Sequence, residues 1–396
     1  MIPALLVGIA LAAPVAAPQD APFASAPVLL WGVDLPGTPQ ATATRAEPAS
    51  PVVDGGRIYV GFTGQSALLV LGQQDGRPLG SFPAHAPVAS APVVDDGRVW
   101  FSDTAGYTYC YLLDQLSQAT PTPAWTHYSG APIVSGPTAS GDVLYISNVD
   151  DTVYALDRTT GALKWRYAHH LDAARSSSLI LFGAARPIVA DGSVWLGFSD
   201  GFVVGLNAAT GDEFQNMLVG EGNYPDVIAP PQVSTTTAGT ALIAAGFSGP
   251  MVSVDAASRV VRWRQDIGTG AEMLEHDGVL YVGGSDGQLR AVVARTGEVK
   301  WAWDPGVGGT IGTPVWTDAG LLVTAGEGSA YLVSTGNGKT LWTFDPGVVI
   351  AGIAARPTVV GRTAYVVTNA GRLYALRVPV ADRVLGSAPY VGGGGR

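Results

Sequence analysis

Residues 135–167 read SGPTASGDVLYISNVDDTVYALDRTTGALKWRY, and this stretch decides the fold. It opens on Ser135-Gly136-Pro137. Ser140-Gly141-Asp142 is a turn signal, and residues 143–147 form a strand of β-branched and aromatic side chains. Asp150-Asp151 turns the chain again into a second strand, residues 152–156. Asp157-Arg158-Thr159-Thr160-Gly161 makes a third turn, and residues 162–167 close the unit around Trp165. Each position has a physical reason. A Pro at the first residue of a sheet needs no ladder partner for its missing N–H. Gly in an Asp-Gly or Thr-Gly turn supplies the positive φ that a Cβ would resist. Runs such as Leu144-Tyr145-Ile146 and Val194-Trp195-Leu196 suit strands buried on both faces, and the Trp gives each unit a large area to bury on the next.

The unit recurs. Its openings fall at Pro51, Pro92, Pro137, Pro187, Pro231, Pro314 and Pro357, and a further unit starts near Ala271 without the Pro, leading into His276-Asp277-Gly278-Val279-Leu280-Tyr281. The closing aromatic recurs as Trp125, Trp165, Phe214, Trp263, Trp301 and Trp342. A period of roughly 40–50 residues is that of propeller blades. The sequence therefore predicts an all-β, eight-bladed β-propeller with four-stranded blades. The last unit stops after residues 372–378 without a Trp strand, while the N-terminal side carries an unattached one, Val28-Leu29-Leu30-Trp31-Gly32-Val33-Asp34, which reads like Val260-Val261-Arg262-Trp263-Arg264-Gln265-Asp266. The first segment is expected to complete the last blade and close the ring. An open array of seven and a half units would leave exposed sheet edges.

Bulk composition agrees with this fold and narrows the function. Of 396 residues, 14% are charged and 47% hydrophobic, with 52 Gly and 28 Pro, a pattern of many tight turns rather than of disorder. The net charge of −10 argues against nucleic acid or an anionic lipid surface as main partner. The single cysteine, Cys110, rules out an intrachain disulfide and a Cys-based zinc or haem site, and reads as a small buried hydrophobe. Residues 1–17 read as a signal peptide, apolar from Ile2 to Ala13 with small residues at Val15-Ala16-Ala17, although no Lys or Arg precedes the apolar run. No Cys follows it to carry a lipid anchor, and no later segment is apolar enough for a membrane helix. Residues 18–27 are expected to be a linker, 28–380 the propeller, and 381–396 a flexible tail ending in four glycines before Arg396.

The run from Ala155 to Trp165 resembles the repeat of the PQQ-type, quinoprotein-like propellers, as do residues 291–301 and, more loosely, 205–214. The resemblance covers about residues 28–378 and implies the fold; binding of the quinone does not follow, since scaffolds share the architecture. Two branches differ in what they imply. Resemblance to the quinoprotein alcohol dehydrogenases would call for an adjacent Cys-Cys pair, a calcium cluster and a catalytic Asp, and one cysteine cannot supply the pair. The other branch is the BamB family of outer-membrane assembly factors. Ser178-Leu179-Ile180-Leu181-Phe182-Gly183, in the insertion of residues 168–186, resembles that family's Ser-Leu-x-Leu-Arg-Gly segment. Glu221-Gly222-Asn223-Tyr224-Pro225-Asp226-Val227-Ile228 resembles its Ser-Asp-Val-Asp segment. Leu179, Leu181 and Asp226 match; Phe182 replaces an Arg and Ile228 the second Asp.

The resemblance implies a non-catalytic, periplasmic scaffold without cofactor or metal. It would dock a periplasmic domain of the outer-membrane barrel-insertion machine through Leu179, Ile180, Leu181, Phe182, Tyr224 and Asp226, and unfolded outer-membrane proteins are further possible partners. On this reading the leucines and Phe182 are apolar anchors and Asp226 an orienting charge. The plainer alternative folds Leu179, Leu181 and Phe182 down as a cap on blade four. His169-His170-x-Asp172 offers metal-type ligands but reads as a polar loop, because neighbouring histidines need a third ligand from elsewhere. Asp304-Pro305-Gly306 and Asp345-Pro346-Gly347 read as turns, and Glu272, Glu275 and His276 as the solvated entry to blade six. Two rivals remain: a divergent PQQ-dependent dehydrogenase, and a generic secreted propeller binding a ligand or protein.

Overall fold

The computed structural model describes residues 27–36, 49–170, 185–236, 239–347 and 352–379. The expected signal peptide and tail, and nearly all of the linker, lie outside them. Among the described residues, 32 strands pair into eight four-stranded antiparallel sheets arranged as a propeller. Blade three comprises Thr138–Ser140, Val143–Ser147, Thr152–Asp157 and Leu163–Ala168, paired in sequence order from the channel outward. Its two middle strands are buried nearly throughout, because neighbouring blades cover both faces. Its outer strand alternates, with Trp165 inward and Leu163 exposed. Cys110 is fully buried in the third strand of blade two, and burial pushes its thiol pKa up.

Blades are joined by a wedge. At five of the eight joints the indole of the closing Trp lies against the turn between the third and fourth strands of the next blade, at a Gly with positive φ. A Cβ at Gly161 would lie 2.6 Å from Cδ2 of Trp125, and one at Gly211 would lie 2.7 Å from the same atom of Trp165. The pairs Trp263–Gly297 and Trp301–Gly338 repeat this contact. The indole N–H then donates to a carbonyl in that turn, Trp165 to Ala208 at 3.0 Å and Trp263 to Ala294 at 2.8 Å.

Three joints depart from the rule, one of them at ring closure. Phe214, expected as the closing aromatic of blade four, is 44% exposed, whereas Gln215 is 3% exposed and pairs with Gly205 as Trp165 pairs with Ala155. A shift of one residue moves a side chain to the other face of the sheet. Phe214 instead covers Gly205 and meets Trp195 edge-on at 5.3 Å. The facing turn of blade five has Arg259 where blades one, three, four, six and seven have Gly, at φ +63°, and its Nε donates to Gln215 Oε1 at 3.1 Å. A polar pair has replaced the indole–glycine wedge. At the first joint the wedge is reversed: Gly80 of blade one receives Leu116 from blade two.

The ring closes as the sequence implies. Val28–Asp34 pairs antiparallel with Arg372–Arg377, with Trp31 opposite Ala375, so the N-terminal strand is the outer strand of blade eight. Trp31 then wedges against Gly76 of blade one, where a Cβ would lie 2.6 Å from its ring, and lies 6.1 Å from Tyr365. On the channel side, Arg356 N–H donates to Ser50 Oγ at 3.2 Å and Thr358 Oγ1 donates to the Pro51 carbonyl. Closure has a local cost. Trp342 of blade seven is 3% exposed, and its Nε1–H has no hydrogen-bond partner among the described residues. The turn that would supply a carbonyl is missing from blade eight, whose third and fourth strands come from opposite ends of the chain.

Trp31→Ala is expected to cost about 3 kcal/mol, read as a lower urea midpoint, and removal of the residues before Gly37 to lower thermal stability further by freeing the edge of blade eight. At the blade four–five joint, Gln215→Trp alone is expected to destabilise through collision with Arg259. Combined with Arg259→Gly it should regain at least about 1 kcal/mol of coupling energy in a double-mutant cycle.

Candidate functional site

In a four-stranded antiparallel blade, the turn between strands two and three emerges on the same face as the connector to the next blade. Connectors are tied to these turns by buried polar side chains. Asp103 Oδ2 accepts from the N–H groups of His85 and Ala86, each at 3.1 Å, and from the Tyr109 hydroxyl at 2.6 Å. Burial and that Asp103 contact push the Tyr109 pKa up. Asn148 Nδ2 donates to the Ser129 carbonyl at 3.1 Å, and Asn369 accepts from Ala354 N–H at 3.0 Å.

The two long connectors meet at one such turn, residues 199–201 of blade four. From blade three, His169 enters the turn: its Nε2 lies 3.0 Å from Asp200 Oδ2, both side chains are almost wholly buried, and the ring stacks on Phe198 at 4.3 Å. Asp151, below it, accepts the Ser199 hydroxyl proton and the Ser199 N–H. Burial holds the Asp151 carboxyl above the ordinary aspartate range, against the pull of those hydrogen bonds. On the other flank, Val219 and Gly220 N–H groups both donate to the Gly201 carbonyl at 2.9 Å. The connector from blade four then folds back over blade five: Phe247 N–H donates to the Asp226 carbonyl at 2.8 Å and Ser248 N–H to the Tyr224 carbonyl at 3.2 Å.

The expected site residues fare differently. Leu179, Ile180, Leu181 and Phe182 lie outside the described residues, as does Asp172, but the flanks of their connector, His169 and Ala185, are held against blade four. Tyr224 is half-buried and meets Phe247 edge-on at 6.4 Å. Asp226 was expected as a surface charge; its side chain is fully buried, because Val227 beside it is pinned against Gly197. His169 pairs with one carboxylate, and among the described residues no group of three or more His, Cys, Asp or Glu side chains is placed to hold a metal. Asp304 and Asp345 cap their own turns, accepting from Gly306 at 2.7 Å and Gly347 at 2.8 Å.

Glu272 is the clearest departure from the sequence reading. It lines the mouth of the central channel, half-buried, bound by Arg186 and by Arg356 Nη1, the latter at 2.8 Å. The signal for it was its position: Glu272 precedes Met273 just as Arg186 and Arg356 precede the opening Pro of blades four and eight.

A family model described as outer membrane protein assembly factor BamB matches residues 28–130, 112–303 and 285–379, which together span every blade. The chain belongs to the BamB family. Curated members similar to it include those of Burkholderia pseudomallei, 27% identical over 257 residues, with 62% of this chain and 64% of that one covered. The member from Moranella endobia is 24% identical over 212 residues, 53% of each chain. The chain thus spans about half to two thirds of the length of these relatives. Among solved structures, BamB from Moraxella catarrhalis superposes with a TM-score of 0.71 at 17% identity, over 89% of this chain and 99% of that one. A quinohemoprotein alcohol dehydrogenase from Comamonas testosteroni gives 0.69 at 12%, over 91% and 78%. At these identities the structures share the fold.

The Asp151 carboxyl yields a pH test. Its folded-state pKa is raised, so its ionised form is penalised by folding and stability falls as pH rises through the aspartate range. Asp151→Asn keeps an acceptor for Ser199 and tolerates the φ of +53°. The variant is expected to be more stable than the parent at neutral pH, with the difference vanishing below about pH 4 in thermal melts recorded across that range.

Proposed function

We infer that this chain is a docking scaffold in the assembly of outer-membrane β-barrel proteins, acting on the periplasmic side of that membrane through contacts rather than chemistry. The family match across every blade carries this reading. The geometry of blade four supports it: two long connectors from either side converge on one turn, so a partner can engage both at once on a rigid frame. Leu179, Ile180, Leu181 and Phe182 would supply apolar anchors from the first connector, and Tyr224 would contribute from the second. Asp226, buried, would shape the second connector rather than present a charge. The partner is a periplasmic domain of the barrel-insertion machine.

Outer strands offer a second mode of contact for unfinished barrel substrates. Val28 and Leu29 of blade eight and Val260 and Val261 beside and in the outer strand of blade five are each between 46% and 61% exposed. Such an edge can accept an added strand. The dehydrogenase reading gains nothing from the blades, whose one cysteine is buried in blade two.

The test is affinity capture of the barrel-insertion machine by the full chain and by a Leu179→Asp, Leu181→Asp double variant. Recovery is expected to fall by about tenfold or more while the melting curve stays put. Undiminished recovery by the folded variant would overturn the docking site.

A further inference from the structure

The residue just before the opening Pro holds an equivalent place in every blade and lines the central channel. In blades one to three it is small: Ser50, Ala91 and Gly136. In blades four, six and eight it is Arg186, Glu272 and Arg356. The charged half of this ring borders a cavity of about 700 Å³ at the channel mouth, on the face that carries the connectors. Cavities of this size hold small organic ligands.

Blades four and eight stand opposite each other in a ring of eight, with blade six midway, so guanidiniums from two sides of the channel converge on one carboxylate. Arg186 binds Glu272 Oε1, and Arg356 Nη1 binds Oε2 at 2.8 Å. The cluster is braced by Arg186 Nη1 donating to Thr138 Oγ1 at 3.2 Å and by Glu272 N–H donating to Thr313 Oγ1 at 3.0 Å. Among the side chains lining this cavity, two positive groups against one negative leave an excess of one positive charge, in a chain whose net charge is −10. Each guanidinium carries five N–H donors in a planar fork suited to carboxylates, and Glu272 and Thr138 occupy few of them. All three side chains remain partly open to solvent, at 33%, 23% and 42% exposure, so a solute can reach them.

A separate feature points to the same cavity. Ser90, on the blade-two side facing blade six across the channel, lines it, is 4% exposed, and its Oγ has no hydrogen-bond partner among the described residues. Buried hydroxyls without partners are rare because the lost hydration is not replaced.

We propose that the channel mouth binds a small carboxylate-bearing molecule, held by the spare N–H donors of Arg186 and Arg356 beside Glu272 and meeting Ser90 with a second polar group. A single carboxylate neutralises the excess charge of the cluster, and its planar oxygens match the fork. A phosphate dianion would overcompensate. Glu272 acts as a resident competitor, occupying the donors the ligand needs.

The test is ligand-observed NMR and calorimetry on the full chain with 6-hydroxyhexanoate, using 1,6-hexanediol as uncharged control. The acid is expected to bind and the diol not. Arg356→Gln or Arg186→Gln should weaken binding about tenfold. Glu272→Gln should tighten it by a similar factor, a gain that loss of structure cannot mimic. Arg356→Lys, which keeps the charge but loses the fork, should fall between parent and Arg356→Gln. Absence of binding to both the parent and Glu272→Gln, or equal binding by parent and Arg356→Gln, would overturn the proposal. Inorganic phosphate displacing the acid at equal concentration would overturn its assignment to carboxylates.

Discussion

Everything in this ring depends on a flat indole meeting a backbone that has no Cβ. The Trp of one blade reaches the left-handed turn of the next at a distance no other residue than Gly allows, and then hydrogen-bonds a carbonyl of that turn. The contact buries a large side chain and satisfies its N–H in one step. Because it links neighbours in sequence, it fixes the angle between blades locally. The accumulated turn must still close, and that falls to Trp31, whose strand is far in sequence from the blade it completes but meets Gly76 of blade one in the same manner. At two of the joints without the wedge a substitute stands as a pair: Gln215 with Arg259, and Leu116 with Gly80.

A rigid ring of this kind leaves variation to its connectors and its channel. The inner strands are short and their leading residues face one another, so any charge placed there is shared between blades that are distant in sequence. Arg186, Glu272 and Arg356 illustrate this; Arg186 also marks the point where the first long connector rejoins the sheet. The connector face and the channel mouth are therefore one continuous surface. What binds a connector from blade three or four bears on the residue that enters the channel next.

Much of this was legible in the sequence. The period, the Gly turns and the unattached Trp31 strand gave blade number and closure, because each follows from local backbone demands. Phe214 misled because aromatic character was matched before spacing. Counting four residues from the turn glycine leads from Gly161 to Trp165 and from Gly297 to Trp301, but from Gly211 to Gln215. Asp226 was read as an orienting charge, and Glu272 as solvated because carboxylates usually are. Glu272 instead meets arginines from two other blades, and Asp226 lies on a connector folded against blade five, which pattern in one segment does not encode. The signal-peptide and tail assignments, and the docking residues of the first connector, fall outside the described residues.

Closure by the N-terminal strand also sets how the wheel can be held. Val28 faces Arg377 across the ladder of blade eight, so the two ends of the folded ring leave side by side where other blades have their three–four turn, on the face opposite the connectors. A tether at either end, whether to a bilayer or to another protein, would therefore pull on that face near the rim. The connector face and the channel mouth would point away from the attachment and stay open to visitors, with blade four diametrically across the ring from it.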